Sequence, residues 1–263
     1  MKNFLIPLCF SPMICSAAVT YTESFSSGSG FFTPLQETNV DTSSGALTFQ
    51  SSRNNPIQNG QGSGVTLDLD QDGVLGSSFS NSASAPLYFQ FDSIVPAADG
   101  AQDELGFYFG PPSGQAQSSN ITNGQNTNGF TFYFNDRDLV AQSSSGSMVT
   151  ILSDLGVGSD ITFDIEWSLA PAQNAGQFNN FFSVTASGTN ASGASVTNTE
   201  SIAGARDQGV NQIDAYQFTV SSTRGLTGTL DNFTVSDMPI PEPGVTFLSL
   251  LGASALLFRR RHG

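Results

Sequence analysis

Between residues 19 and 240 this chain has no cysteine, no lysine and no histidine. Its cysteines, Cys9 and Cys15, and its lysine, Lys2, sit in the first 15 residues, and its one histidine, His262, is next to last. Hydrolase triads use an imidazole or ammonium base, and catalytic zinc takes His or Cys ligands, so the central stretch lacks the parts for either. Without lysine there is no phosphate-cradling Gly-rich loop of the usual kind. Without cysteine there is no disulfide framework, although the 222 residues from 19 through 240 are enough to bury a core without one. Carboxylate chemistry is what survives these exclusions.

Charge is scarce and one-sided. Charged residues are 11 % of the 263, against about 25 % in ordinary domains. Four of the eight basic residues lie at the two ends, leaving Arg53, Arg137, Arg206 and Arg224 against 21 acids in residues 19–240, hence −17. Such a surface repels phosphate backbones and anionic headgroups, which argues against nucleic acid and against electrostatic membrane binding. Cations and neutral sugars are the compatible ligands.

Helical periodicity is missing over the same stretch. Eighteen of the 22 phenylalanines lie here, and with Trp167 they fall in clusters of period two, bounded by Gly, Asn, Asp and Ser. Strands are predicted at 46–50, 65–69, 87–94, 105–109, 130–134, 139–142, 148–152, 161–169, 178–186, 195–199, 215–220 and 230–235, with an N-terminal strand near Tyr21–Phe25. Phe89 and Phe91 share one face, with Tyr88, Gln90 and Asp92 on the other; Phe130, Phe132 and Phe134 also face one way. About twelve antiparallel strands joined by short turns imply a single all-β sandwich of jelly-roll type. The longest polar insertion, 110–128, is a candidate binding loop or a plain connector.

The ends read differently. Lys2, the apolar segment from Phe4 to Ile14 and Ser16-Ala17-Ala18 predict a secretory signal peptide over 1–18, with Ile14 a poor residue for lipoprotein processing at Cys15. The body then occupies 19–237 and the tail 238–263. In that tail Pro241-Glu242-Pro243 precede an apolar run from Gly244 to Phe258 and then Arg259-Arg260-Arg261. As a helix the run is roughly 22 Å long, a short transmembrane span, and the arginines hold its far end on the cytoplasmic side. The tripeptide, a short helix with Leu248, Leu250, Leu251 and Leu256, and the arginine cluster resemble the PEP-CTERM sorting signal of Gram-negative bacteria. That resemblance implies signal peptidase and an exosortase as partners during export. It also implies an inner-membrane-anchored precursor, then a place at the cell surface or in an exopolysaccharide matrix.

Leu105-Gly106-Phe107-Tyr108-Phe109, Gly129-Phe130-Thr131-Phe132-Tyr133-Phe134, Tyr216-Gln217-Phe218-Thr219-Val220 and Leu230-Asp231-Asn232-Phe233-Thr234-Val235 are similar to strands of concanavalin A- or laminin-G-like jelly rolls. In some of those a calcium ion ties the first and last strands, which implies Glu23 and Asp231 as metal ligands. Asp68-Leu69-Asp70-Gln71-Asp72-Gly73 carries carboxylates at positions 1, 3 and 5 and Gly at 6 of a calcium loop, but Phe79 stands where position 12 needs a bidentate Glu. An isolated calcium turn at Asp68, Asp70 and Asp72 and a polar Asp-Gly hairpin both fit.

Thr162-Phe163-Asp164-Ile165-Glu166-Trp167 puts Thr162, Asp164 and Glu166 on one face of a strand. Jelly-roll glucanases resemble this with Glu, Asp and Glu in those places; Thr162 cannot form a glycosyl–carboxylate intermediate, and a second carboxylate near Glu166 would have to come from another strand. The leading expectation is therefore a non-enzymatic exported surface or matrix protein. The alternative is a calcium-assisted, lectin-like carbohydrate-binding domain, with a glucanase behind both. Tyr88, Tyr108, Tyr133 and Trp167 are the candidate sugar-stacking aromatics, either exposed on a sheet or packed into the opposite one.

Overall fold

The computed structural model describes residues 20–35, 38–51, 63–69, 73–75, 86–97, 104–110, 130–142, 148–171, 178–207, 217–222 and 226–240. Among them are fifteen strands: β1 (Thr20–Glu23), β2 (Thr33–Leu35), β3 (Thr38–Asp41), β4 (Leu47–Ser51), β5 (Ser63–Asp68), β6 (Leu87–Ile94), β7 (Glu104–Gly110) and β8 (Phe130–Asn135), followed by β9 (Asp138–Gln142), β10 (Met148–Leu152), β11 (Asp160–Pro171), β12 (Phe178–Thr189), β13 (Ser195–Asp207), β14 (Gln217–Ser222) and β15 (Gly228–Ser236). Each of the twelve strands predicted from alternation is present. β2 and β3 were not predicted, because Thr33–Leu35 and Thr38–Asp41 are too short and too exposed to show a period.

All pairings between these strands are antiparallel, in two sheets. The eight-stranded sheet runs β13-β12-β11-β6-β15-β4-β3, and β1 joins β15 beside it; the seven-stranded sheet runs β10-β9-β8-β7-β14-β5-β2. Along one edge of β15, β4 pairs with Gly228–Leu230 and β1 with Phe233–Ser236. The first and last strands of the body are thus partners, as the jelly-roll resemblance implies.

Phenylalanine fills the space between the sheets. Phe91 stacks on Phe163 at 4.8 Å and meets Phe107 of the facing sheet at 5.1 Å; Phe130 stacks on Phe182 at 4.0 Å. Offset and edge-on ring pairs of this kind add about 0.5–1.5 kcal/mol each beyond the area they bury. Phe163, Ile165 and Trp167 of β11 are all buried while Asp164 and Glu166 between them are exposed, as period two requires.

One end of the sandwich is clasped by backbone and arginine together. Arg137, in the β8–β9 turn, donates Nε–H to the Leu155 carbonyl at 3.0 Å, while Leu155 N–H returns to the Arg137 carbonyl at 2.8 Å. Nη2 lies 2.5 Å from Asp154 Oδ1, close enough for an ion pair but off line for a hydrogen bond. The same 153–159 loop reaches the β12–β13 turn through Ala191 N–H to Asp154 O at 2.7 Å and Gly156 N–H to Thr189 O at 2.9 Å.

Candidate functional site

Three of the four aromatics expected to offer stacking faces are buried. Trp167 points into the core, 5.5 Å from Phe182 and 6.1 Å from Phe109, because its place on β11 follows Phe163 and Ile165 at period two. Tyr108 and Tyr133 lie on the side of the seven-stranded sheet away from the Phe core, yet they are only 2 % and 5 % exposed. Their register partners Thr131 and Val140 are buried too, so β7–β9 are covered on both faces. Alternation assumes one wet face, and here neither is wet. Tyr88 alone stays partly open.

Tyr88 belongs to the outer face of the eight-stranded sheet, a polar surface laced by side-chain hydrogen bonds. Gln90 Nε2 donates to Asp164 Oδ1 at 2.8 Å, Thr162 Oγ1 to Asp92 Oδ1 at 2.6 Å, and Asn232 Nδ2 to Asp92 Oδ2 at 2.7 Å. On the outer strands Thr185 and Thr199 hydroxyls meet at 2.8 Å, and Thr197 Oγ1 donates to Ser187 Oγ at 3.0 Å. Glu166, one step further along β11, is in register with Tyr88 on one side and Ser183 on the other. It is exposed and makes no hydrogen bond to another described residue, whereas Asp92 and Asp164 are both engaged. Burial first, and then the Glu166 charge, raise the Tyr88 phenol above its ordinary pKa, so Tyr88 is a neutral O–H beside an open carboxylate.

Next to Glu166 the sheet holds an open concavity of about 400 Å³, bordered by Glu166, Ser168, Phe181, Ser183, Ser201 and Ala203. Phe181 is 42 % exposed. It is in register with Ser168 and Ala203, so with Glu166 opposite Ser183 the ring and the carboxylate are diagonal neighbours, roughly 7–8 Å apart at Cα. The β12–β13 register slips between Asn179 and Phe181, and a bulge of this kind re-aims the side chains beside it. Phe181 was not among the sequence candidates. Its signal was the doublet Phe181-Phe182: on a strand whose Phe182, Val184 and Ala186 face inward, the other ring must face out.

Glu23 and Asp231, expected to share a metal ion, are not brought together. Glu23 lies on the side of Tyr21 and Phe233, its Oε1 accepting from Phe25 N–H at 2.8 Å and Oε2 from the Tyr21 hydroxyl at 3.2 Å. Asp231 pairs with Asp92 on the opposite face and accepts from Asn232 N–H at 2.7 Å, at a bulge where Asn232 has φ +49°. A calcium ion bridging Glu23 and Asp231 therefore does not fit, because the bulge and the register turn them to different faces. Of the aspartate turn, Asp68 is exposed at the end of β5, while Asp70 and Asp72 lie outside the described residues. Leu75 N–H bonds to Leu69 O at 3.2 Å, and Gly73, at φ +97°, sits under the Phe31 ring, which leaves no room for a Cβ. No group of three potential ligating side chains is found among the described residues. Pro241, Glu242, Pro243, Arg259, Arg260 and Arg261, with residues 1–18 and most of the 110–128 insertion, also lie outside them.

Nor do the described residues of the outer face assemble a glycosidase pair. Across from Glu166 stand Tyr88 and Ser183, and the nearest described acid on an adjoining strand, Asp92, is opposite Thr162, about 13 Å along the strand. Asp164, the other acid on that face of β11, accepts from Gln90 Nε2 at 2.8 Å, and Thr162 stands where jelly-roll glucanases have their nucleophile.

No protein-family model and no curated protein matches the sequence. Among solved structures, the metal-free form of lectin I-B4 from Griffonia simplicifolia is similar, 17 % identical, with a TM-score of 0.52 over 84 % of this chain and 100 % of that one. Lectin II from Ulex europaeus is similar at 14 % identity and a TM-score of 0.50, over 83 % of this chain and 98 % of that one. Likeness at this identity shows the fold, which is the concanavalin A-like jelly-roll sandwich of those lectins.

Proposed function

We propose that the protein is a non-catalytic, exported, saccharide-binding protein that holds polysaccharide outside the cell on the outer face of its eight-stranded sheet. The observation that carries this is the exposed Phe181 ring set in a concavity rimmed by Glu166, Ser168, Ser183 and Ser201. An aromatic face receives the apolar C–H side of a pyranose, and short hydroxyls with one acceptor carboxylate suit its equatorial hydroxyls. The volume falls within the range of small-ligand sites. A fold shared with lectins agrees with this reading without carrying it.

Export rests on the sequence: signal peptidase removes 1–18, and the PEP-CTERM tail passes through an exosortase to the cell surface or matrix. Calcium at Asp68, Asp70 and Asp72 is a separable, stabilising element of the proposal, distant in sequence from the Phe181 concavity.

A glycan array and a polysaccharide pull-down with the full chain test the binding. Phe181→Ala is expected to weaken binding about tenfold, the loss of one stacking contact near 1.4 kcal/mol, with the unfolding midpoint unchanged. Absence of saccharide binding, or binding indifferent to Phe181→Ala, overturns the proposal.

A further inference from the structure

The described outer face of the eight-stranded sheet carries Asp92, Asp164, Glu166 and Asp231 and no described basic side chain. Over the body as a whole four arginines stand against 21 acids. A ligand approaching Phe181 therefore enters a negative potential, which raises the local concentration of cations and lowers that of anions. Two groups at the concavity favour positive charge independently. The Phe181 ring, 42 % exposed, carries a quadrupole whose face is negative, and the Glu166 carboxylate, a pure acceptor, has no hydrogen-bond partner among the described residues. An ammonium group is three donors and no acceptor, the complement of both. Ser168, Ser183 and Ser201 remain for the neutral hydroxyls of the same ring.

Resting on the saccharide-binding reading, we infer that the Phe181–Glu166 concavity selects amino sugars with a free, protonated amine: the pyranose lies on Phe181 and its ammonium pairs with Glu166. An N-acetyl group abolishes the charge and puts an acceptor oxygen and a methyl near a carboxylate that needs donors. A uronic acid brings a second negative charge. Charge-assisted hydrogen bonds are roughly twice as strong as neutral ones, which sets the direction of the preference.

Calorimetric titration of the full chain with chitosan oligomers, with the same oligomers fully N-acetylated, and with glucose oligomers of equal length decides it. The free-amine oligomers are expected to bind about tenfold more tightly than the acetylated ones, with a preference that shrinks as salt is raised. Glu166→Gln should abolish that preference, weakening the free-amine oligomers more than the neutral ones, while Phe181→Ala weakens all three. Both side chains are exposed, and an unchanged melting curve confirms that the variants fold. Equal binding of amine and N-acetyl oligomers, or a preference that survives Glu166→Gln as bulk attraction to an acidic protein would, overturns the amino-sugar inference. In either case, loss on Phe181→Ala leaves the saccharide-binding reading standing. Failure of every oligomer to bind overturns the amino-sugar inference, whereas the saccharide-binding reading falls only if the glycan array is also empty.

Discussion

Tyr21 shows how one side chain ties a corner of the fold. Its hydroxyl accepts from Phe31 N–H at 3.3 Å and donates to Glu23 Oε2 at 3.2 Å, while Gly30, at φ +58°, lies so close to both side chains that a Cβ would collide with them. Burial above all, with the Glu23 charge and hydrogen bond adding to it and the Phe31 N–H bond opposing, pushes the phenol from 10.0 up to about 12. The folded value lies above the unfolded one, so the stabilisation is complete below pH 10 and is lost as the pH rises through about 12. Denaturant midpoints should therefore fall between those limits in the wild type and fall less in Tyr21→Phe. At neutral pH the same substitution should cost about 1–3 kcal/mol, since it removes both hydrogen bonds of the hydroxyl. Equal alkaline loss in the two proteins would show that Tyr21 ionises as freely in the fold as out of it. At this scale the sequence could be read for which way a side chain points along a strand, as with Glu166 and Trp167. It could not be read for what lies above it, and Tyr108 and Tyr133 were placed on a surface that the fold covers.

Among the elements, the arginine clasp and the aspartate turn depend on different physics. Arg137 and Asp154 side chains are 38 % and 66 % exposed, so their ion pair is worth at most about 1 kcal/mol and fades in salt. The bond from Arg137 Nε to the Leu155 carbonyl fastens a turn to a loop that the β12–β13 turn also needs. Arg137→Ala is accordingly expected to cost about 1–3 kcal/mol and Asp154→Asn less than about 1, measured by chemical denaturation. The reverse order would make the ion pair the fastening. For the aspartate turn, an oxygen-only ligand set selects a hard ion, and a missing position-12 Glu implies the weak class, about 10⁻⁴–10⁻³ M. Tenfold excess over such a Kd adds about 1.4 kcal/mol, so millimolar calcium should raise the melting temperature by a few degrees where matched sodium chloride does not. Asp70→Asn with Asp72→Asn should remove the rise; an equal response in the double variant would leave Asp68–Gly73 a polar hairpin. The presence of the long strands was legible because burial on one face prints a period, although β13 runs on to Asp207 where 195–199 was expected; β2 and β3 were not legible, being held by partners instead of by pattern, as Thr33↔Thr66 and Val40↔Phe49 show.

For the whole molecule, one sandwich carries the candidate site, and the proposal of export rests on the two ends of the sequence. Replacing Pro241, Glu242 and Pro243 by alanine is expected to leave the precursor uncleaved in the inner membrane with its body folded, as followed by fractionation with an antibody to the sandwich. Unchanged processing would reduce the tail to a plain anchor. Composition and alternation were enough for the all-β class, the acidic surface and the loss of imidazole, thiol and amine chemistry, because these depend only on which residues are present and on a period of two. Which acids meet was decided by tertiary structure alone, since register between β6, β11, β12 and β15 is set by packing of Phe rings from distant strands and by the bulge at Asn232. The same packing parted Glu23 from Asp231, buried Trp167, and left Phe181 in the open beside an unengaged Glu166. A strand's own sequence states its two faces; only the second sheet determines which of them is dry.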